Sequence, residues 1–250
     1  MYVELIMEGK LVSAPHRSLL VDIGNSQIKY ALLANSLADL EIETCLNIHG
    51  LDNAIRNCKK LVLSSVAHSQ QVTEIVAMCE AHGKPLQIIS TEAQTFGIRC
   101  AYKRYQSLGV DRWLAILAGR SITRLPLAVI HLGTANTCDF ILDNDHLGGW
   151  ISPGFSVMRE SLIANTQQVV GNSDYPTSLE LGDNTEQCVN MGCIAAVQGF
   201  ARMAEEQLAL LADDYRVIIA GGARDLLRDL DHKHILFREN LVLQGLALYL

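Results

Sequence analysis

The feature that most constrains the fold of this chain is a pattern of strand, glycine-containing tip and returning strand, present in both halves. An apolar run at 19–23 is followed by an apolar segment at 27–33. A second apolar run, at 127–130, is followed by another such segment at 136–142. The two copies are about half of the chain apart, so the sequence predicts an internal duplication with two similar halves and a cleft between them.

Strand and helix patterns alternate around both copies. Segments 60–65 and 85–89 have the short apolar character of strands, and segment 70–81 between them has helical spacing. In the second half, a helix is predicted from Gly109 to Gly119 and a strand from Tyr215 to Ala220. This alternation predicts an α/β layered fold.

The predicted domain division follows the duplication, because no Pro-rich or Ser-rich linker marks a boundary. We place the boundary near Arg120 to Pro126, between the two copies. The expected parts are an N-terminal extension at 1–18, a first domain at 19–122 and a second domain at 123–250.

Composition excludes several classes of function. The net charge is −7 and the pI is about 5.6, whereas a general nucleic-acid-binding protein needs a basic surface. The seven cysteines are odd in number and form no CxxC pair, so we expect reduced thiols rather than a disulfide framework or a zinc site. The chain contains no apolar stretch of about 20 residues and no leader-like segment, so we expect a cytoplasmic protein without a membrane partner.

The first tip carries residue types that suit phosphate and metal binding. Asp22 at the end of a buried strand could hold Mg²⁺ directly or through water. Gly24 would allow a phosphate to approach the backbone, Asn25 and Ser26 offer hydrogen-bond donors, and Lys29 adds a positive charge. The alternative is an ordinary hairpin, in which Asp, Gly and Asn are common.

Two further glycine-containing tips follow in the second half. Gly133 and Thr134 offer backbone N–H groups and a hydroxyl that suit the β- and γ-phosphates of a nucleotide. Gly221 and Gly222 lie between a predicted strand and a predicted helix, where close approach by phosphate or adenosine is possible. Each tip alone could be a simple turn, and no Walker A motif supports a P-loop.

A fourth segment, Gly109-Val110-Asp111-Arg112, opens the predicted helix. Asp111 could accept the proton of a substrate hydroxyl, as phosphoryl transfer requires. Arg112 could bind a substrate carboxylate or charge that develops on the phosphoryl group. The alternative is a carboxylate that only stabilises the start of the helix, beside an exposed arginine.

Taken together, these segments resemble the type III pantothenate kinases of the acetate and sugar kinase/Hsp70/actin superfamily. The resemblance covers about Leu19 to Gly222. It rests on Asp22 to Lys29, Ser64-Ser65-Val66, Tyr102, Leu108 to Arg112, Gly133-Thr134-Ala135, Gly148 to Gly154, Asn184-Thr185, Gly192 and Gly221-Gly222.

The resemblance implies two actin-like (ribonuclease H-like) domains with a central cleft, and a homodimer whose substrate site lies near the interface. It implies transfer of a phosphoryl group from ATP to the hydroxyl of pantothenate, the first step toward coenzyme A. Asp111 would be the general base, and Asp22 to Lys29 would bind phosphate. Tyr102, Gly109 to Arg112 and Thr185 would bind pantothenate.

One position departs from the family pattern. The family usually has Asp where this chain has His131, and that Asp is the expected ligand of an activating K⁺ or NH₄⁺ ion. Neutral imidazole is a poor ligand for a hard monovalent cation, so we expect a weakened or absent cation requirement. Other histidines, including His68 and His146, are expected on the surface or in loops.

Two other functions stay open at this point. The chain could be a kinase of another small metabolite in the same superfamily, which would differ around Tyr102, Asp111 and Thr185. It could also be a nucleotide-binding regulatory protein that has lost catalysis. The presence of Asp22, Asp111 and Thr185 weighs against the second alternative, because a protein without catalysis has no chemical need for the base.

Overall fold

The computed structural model describes residues 17–24, 27–33, 41–66, 70–165, 178–230 and 233–250. The chain divides into two compact units, one within the residues up to Ile88 and one from Ile89 to Tyr249. The N-terminal extension predicted at 1–18 lies almost entirely outside the described residues.

The first unit is built on a mixed sheet with five strands among the described residues. They are β1 (Ser18–Ile23), β2 (Ile28–Leu33), β3 (Ile42–Cys45), β4 (Lys60–Ser65) and β5 (Leu86–Ile88). Their order across the sheet is β3-β2-β1-β4-β5. The β1–β2 and β2–β3 pairs are antiparallel, whereas β4 lies parallel to both β1 and β5.

Two helices cover the first sheet, α1 (Asp52–Asn57) and α2 (Gln70–Ala81). The central strand β1 is buried along nearly its whole length, which explains its continuous apolar run. Leu19 and Val21 of β1 pack with Leu61 of β4, Ile55 of α1 and Ile75 of α2 in one hydrophobic core.

The second unit contains a sheet with seven strands among the described residues. They are β6 (Gln94–Thr95), β7 (Ile98–Arg99), β8 (Leu127–Leu132), β9 (Ala135–Leu142), β10 (Asp145–Pro153), β11 (Arg216–Ala220) and β12 (Ile235–Phe237). Their order is β12-β11-β8-β9-β10-β7-β6.

The remaining helices belong to the second unit. They are α3 (Val110–Ile122), α4 (Phe155–Asn165), α5 (Thr185–Ala209) and α6 (Leu241–Ala247). Successive residues of β8 face opposite sides of the sheet. Ile130 packs in the core that contains residues of α5, and Val129 packs in the core that contains residues of α3. The second sheet is therefore covered by helices on both faces.

The two sheets share one topology, as the internal duplication predicts. In the first sheet β2 and β3 lie on one side of β1, and β4 and β5 on the other. In the second sheet β9 and β10 lie on one side of β8, and β11 and β12 on the other. The parallel and antiparallel pairs also correspond. The predicted α/β class is confirmed, with two mixed sheets.

The compact units divide the chain earlier than the boundary we placed at 122/123. Helix α3 belongs to the second unit because its apolar side chains, among them Trp113 and Ile116, pack with Val129 and Ile218 of the second sheet. Helix α3 also lies against α6, where the position of a Cβ on Gly245 would be 2.3 Å from the carbonyl oxygen of Leu114. Sequence patterns could not show this packing, because the strands that α3 covers, β8 and β11, come later in the chain.

None of the helices among the described residues is both long enough and apolar enough to cross a bilayer. The cytoplasmic location stays a prediction.

Candidate active site

Asp22 lies in the first unit, next to the last residue of β1. Its Cα is opposite Lys29 on β2 and Ser64 on β4. The side chain is buried, and the Ser64 hydroxyl donates a hydrogen bond of 2.8 Å to Asp22 Oδ1. A buried carboxylate requires such a donor, because loss of water destabilises its charge. Ser64 therefore orients the carboxylate that the sequence singled out.

The tip after β1 is described only in part. The Gly24 N–H donates to the carbonyl oxygen of Gln27 at 3.2 Å, which closes the turn toward β2. Asn25 and Ser26, both predicted to contact phosphate, lie outside the described residues. Lys29 follows on β2 and is half-buried.

The second tip, Gly133-Thr134, joins β8 to β9 in the second unit. The Gly133 N–H donates to the Ala135 carbonyl oxygen at 3.2 Å. The Gly154 N–H, just after β10, donates to the Thr134 carbonyl oxygen at 2.9 Å. Asn136 is buried and donates from its amide to the Pro153 carbonyl oxygen at 3.0 Å. The segment after β10 thus holds the tip in one conformation.

The third tip, Gly221-Gly222, lies directly beside the end of β8. Because β11 is parallel to β8, the carboxyl ends of both strands are at the same edge of the sheet. Gly221 has φ of +102°, and a Cβ at this position would be 2.1 Å from the Leu132 carbonyl oxygen, so only glycine fits. A Cβ on Gly222 would meet nothing within 4 Å. The structure therefore brings the second and third tips together and leaves open space at Gly222.

His131 occupies the fifth of the six positions of β8. Its Cα is opposite Thr137 on β9 and Ala220 on β11. The half-buried ring lies over Gly133, since a Cβ built there would be 3.4 Å from His131 Cε1 and 3.6 Å from Nδ1. The imidazole is therefore part of the second tip.

Asp111 lies in the first turn of α3, and Gly109 is the N-cap residue of that helix. A Cβ on Gly109 would be 2.5 Å from Asp111 Oδ1, so the carboxylate lies over the glycine backbone. Val110 is buried and anchors the helix start, whereas Asp111 is half-exposed. A partly exposed carboxylate at this position is accessible to a substrate hydroxyl.

Arg112 is buried, and most of its guanidinium is already bound by protein groups. Nε donates to Asp139 Oδ2 at 2.9 Å, and Nη2 donates to Asp139 Oδ1 at 2.7 Å. Nη1 donates to the Tyr102 hydroxyl at 3.2 Å. Burial lowers the pKa of Arg112, but the hydrogen bonds and charge of Asp139 outweigh it, and the net pKa is raised. The alternative of an exposed arginine beside the helix is wrong.

His146 is also buried, so the prediction that it is a surface or loop residue is wrong. It lies on β10, and Nε2 is 2.9 Å from Asp139 Oδ1. The Ala101 N–H donates to Nδ1 across 3.4 Å, and the ring stacks on Tyr102 with 6.1 Å between centroids. His146 therefore joins β10 to the segment that carries Tyr102. His68 lies outside the described residues.

Thr185 is the first residue of α5 and is exposed. The preceding residue, Asn184, caps the helix, because its side-chain oxygen accepts a 3.0 Å hydrogen bond from the Gln187 N–H. The cap fixes where the helix begins and hence where Thr185 is presented.

Asp139 was not identified from the sequence as a residue of the candidate site. The signal was available, since Asp139 is a single charge within the apolar strand from Cys138 to Leu142. A carboxylate in such a strand must find a buried cation or several donors. The sequence could not identify those partners as Arg112 and His146.

The comparisons with known proteins identify the family of the chain. A family model described as type III pantothenate kinase matches residues 18–207. The chain belongs to the type III pantothenate kinase family. A type III pantothenate kinase of Pseudoalteromonas atlantica is 44% identical over 96% of this chain and 99% of the relative. The corresponding protein of Pseudomonas paraeruginosa is 34% identical over 91% of this chain and 96% of its own length.

Two solved structures share the fold at low sequence identity. A Baf family protein from Campylobacter jejuni, named as a transcriptional activator, has a TM-score of 0.59 at 19% identity and covers 92% of this chain and 95% of its own. A protein from Sinorhizobium meliloti, named as a 2-dehydro-3-deoxygalactonokinase, has a TM-score of 0.56 at 13% identity and covers 92% and 95%. The family is part of the acetate and sugar kinase/Hsp70/actin superfamily, so the predicted actin-like fold is confirmed.

Proposed function

We propose that this pantothenate kinase transfers the γ-phosphoryl group of ATP to the hydroxyl of pantothenate, forming 4'-phosphopantothenate in the first step of coenzyme A biosynthesis. The observation that carries the proposal is the match of the family model over residues 18–207. That range includes Asp22, Asp111, Arg112 and Thr134, whereas Gly221 and Gly222 of the third tip lie beyond it.

Asp111 is the proposed general base. It takes the proton of the pantothenate hydroxyl while the hydroxyl oxygen bonds to the transferred phosphorus and the bond to ADP breaks. Its half-exposed position at the start of α3 supports this role. Tyr102 and Gly109 to Arg112 would bind the rest of pantothenate, with Thr185 as a further contact.

The glycine-containing tips are the proposed ATP site. Gly133 and Thr134 would contact the phosphates, and the open space beside Gly222, next to Gly221, would admit part of the nucleotide. Asp22, Gly24, Asn25, Ser26 and Lys29 would complete the phosphate contacts. Bound ATP supplies the phosphoryl group, and the protein supplies position and charge stabilisation.

Asp22 is the proposed holder of Mg²⁺, directly or through water. The described residues contain no group of three or more His, Cys, Asp or Glu side chains able to hold a metal ion together. This suits Mg²⁺, which is commonly held by one or two carboxylates while waters and phosphate oxygens fill its other positions.

The surface of β10 and α4 supports the proposed homodimer. Leu147 and Ile151 are exposed on β10, and Val157 and Leu162 are exposed on α4. Exposed apolar side chains on consecutive elements are typical of a surface that a partner covers. A second copy of this chain is the proposed partner.

The monovalent cation is the point where this chain is proposed to differ from its family. His131 lies at the expected cation position, and an imidazole is either neutral or positively charged. Neither form attracts K⁺ as a carboxylate does. We therefore propose a weakened or absent requirement for K⁺ or NH₄⁺.

The function is tested by measuring ADP release with ATP, Mg²⁺ and pantothenate, for the wild type and for Asp111→Asn. We expect pantothenate-dependent turnover that falls about 10³-fold in the variant. Asp213→Asn, on an exposed segment, is the matched control and should turn over normally. A folded wild type that binds ATP but does not turn over pantothenate would contradict the proposal and favour another substrate or the regulatory alternative.

A further inference from the structure

Asp139, Arg112, His146 and Tyr102 form a group of contacting side chains in the second unit, here called the Asp139 cluster. The first three are almost fully buried, at 2%, 7% and 3% exposure. Asp139 is at its centre, because it accepts hydrogen bonds from both Arg112 and His146. Asp139 lies on β9 and contacts α3 through Arg112, in the first turn of that helix.

The hydrogen bonds of the cluster determine which nitrogen of His146 carries a proton. A carboxylate paired with a guanidinium only accepts hydrogen bonds, so Nε2 must donate to Asp139 Oδ1. Nδ1 accepts from the Ala101 N–H, although the distance of 3.4 Å makes this a weak bond. The ring is therefore held on both sides and against the face of Tyr102.

The backbone around Asp139 leaves little room for another arrangement. A Cβ on Gly149 of β10 would be 2.0 Å from the Cys138 carbonyl oxygen and 2.8 Å from Asp139 Oδ1. The neighbouring strand thus approaches the carboxylate as closely as a glycine permits. The strand backbone limits the movement of Asp139 on that side, and the two hydrogen bonds direct Nε and Nη2 of Arg112 toward it.

A buried ion pair is weak evidence for stability, because the desolvation of both charges opposes their attraction. Apolar side chains of similar volume would fill the same space at no greater cost. The cluster ends at Arg112 and Tyr102, the two side chains proposed to bind pantothenate. Its arrangement therefore suits the orientation of a binding site more than the stability of the core.

We propose that Asp139 and His146 are positioning residues for pantothenate. Asp139 directs the guanidinium of Arg112, so that Nη1 beside the Tyr102 hydroxyl is the part left for the substrate carboxylate. His146 holds Asp139 on one side and the segment Ala101–Tyr102 on the other. This inference rests on the proposed roles of Arg112 and Tyr102 in pantothenate binding.

The test compares Michaelis constants for the two substrates in His146→Leu, His146→Gln and Asp139→Asn. We expect His146→Leu and Asp139→Asn to raise the KM for pantothenate about tenfold, while the KM for ATP changes less than about twofold. His146→Gln should recover most of the loss, because its amide nitrogen can still donate to Asp139. If Asp139→Asn fails to fold, the comparison of His146→Leu with His146→Gln still tests the inference.

A matched control is available in the first unit. His82 Nε2 is 3.0 Å from Asp52 Oδ1, so it forms a similar His–Asp pair outside the cluster. His82→Leu should leave both Michaelis constants unchanged. Equal changes in both constants for the His146 variants, or a folded His146→Leu with an unchanged KM for pantothenate, would overturn the inference.

The same assay separates failure of this inference from failure of the proposed function. Wild-type turnover of pantothenate with no difference between substrates in the variants overturns only the positioning roles. Absence of pantothenate turnover in the folded wild type overturns the proposed function, and the positioning roles with it.

Discussion

The first and second sheets have the same topology, but their central strands carry different side chains at the position before the last. Asp22 is the fifth of six residues in β1, and His131 is the fifth of six in β8. Asp22 is buried and accepts a hydrogen bond from Ser64, whereas His131 is half-buried beside Gly133. The shared topology positions equivalent tips, whereas the side chains at those tips differ in chemistry, and this difference is the basis of the separate roles that we propose for them.

The largest effect is expected from removing the charge of the first tip. Asp22→Asn keeps the size of the side chain but removes the charge proposed to hold Mg²⁺. We expect kcat to fall about 10³-fold, on the order of 4 kcal/mol of transition-state stabilisation.

The equivalent change in the second sheet sharpens the comparison. His131→Asn should lower kcat by no more than about tenfold, because no metal ligand is lost. Both variants are measured by ADP release at saturating ATP and pantothenate. Equal losses in the two variants would show that the tips contribute alike, contrary to the proposed division of roles.

The next effect concerns how tightly each tip is packed. Gly221→Ala forces a Cβ to within 2.1 Å of the Leu132 carbonyl oxygen at a positive φ. We expect a loss of about 3 kcal/mol in the free energy of unfolding. At Gly24 the closest atom to a Cβ is 3.2 Å away, so Gly24→Ala should cost less than about 1 kcal/mol. Urea denaturation of both variants measures the difference, and a reversed order would refute it.

A smaller effect is expected from giving the second tip a carboxylate at the position that corresponds to Asp22 of the first. His131→Asp introduces a carboxylate at the proposed cation position. We expect activity in the variant to rise about tenfold between zero and saturating K⁺, equivalent to about 1.4 kcal/mol. The wild type should rise much less in the same titration, with ionic strength held constant by a quaternary ammonium salt. Strong activation of the wild type by K⁺ would contradict the proposed departure from the family.

The smallest effect compares thiols in the two cores. Burial raises the pKa of Cys79 in the first unit to about 11, and burial raises the pKa of Cys138 in the second unit well above its usual range. Both should therefore stay protonated and unmodified by iodoacetamide at pH 8 in the folded protein, whereas exposed Cys188 should react. Peptide mass spectrometry after brief labelling measures the difference, and early labelling of Cys138 would contradict a tightly packed second core.

The fold was largely predictable, because hydrophobic periodicity is a local signal. The apolar runs that became β1 and β8 each precede a glycine-containing tip, and their repetition predicted two similar halves. The division between compact units was not predictable. Helix α3 follows the first sheet in the chain but packs on the second, and no local sequence pattern indicates on which sheet a helix will pack.

The candidate site was predictable as a set of residues but not as a set of contacts. Asp22, Asp111 and the three tips could be named because their residue types follow strands or open a helix. The structure added Ser64 as the partner of Asp22 and showed that the second and third tips meet at one edge. Such contacts join residues far apart in the chain.

By itself, the sequence determined the α/β class, the duplicated topology and the chemistry available at each tip, since these depend on residue types and short spacings. Only the tertiary structure decided what Arg112 and His146 contact. His146 was expected on the surface or in a loop, and an exposed Arg112 was the alternative to a role in binding, yet both are buried around Asp139. The physical reason is that a polar or charged side chain can be buried only where other elements bring it a hydrogen-bond partner, and the partner that Arg112 and His146 share, Asp139, comes from β9.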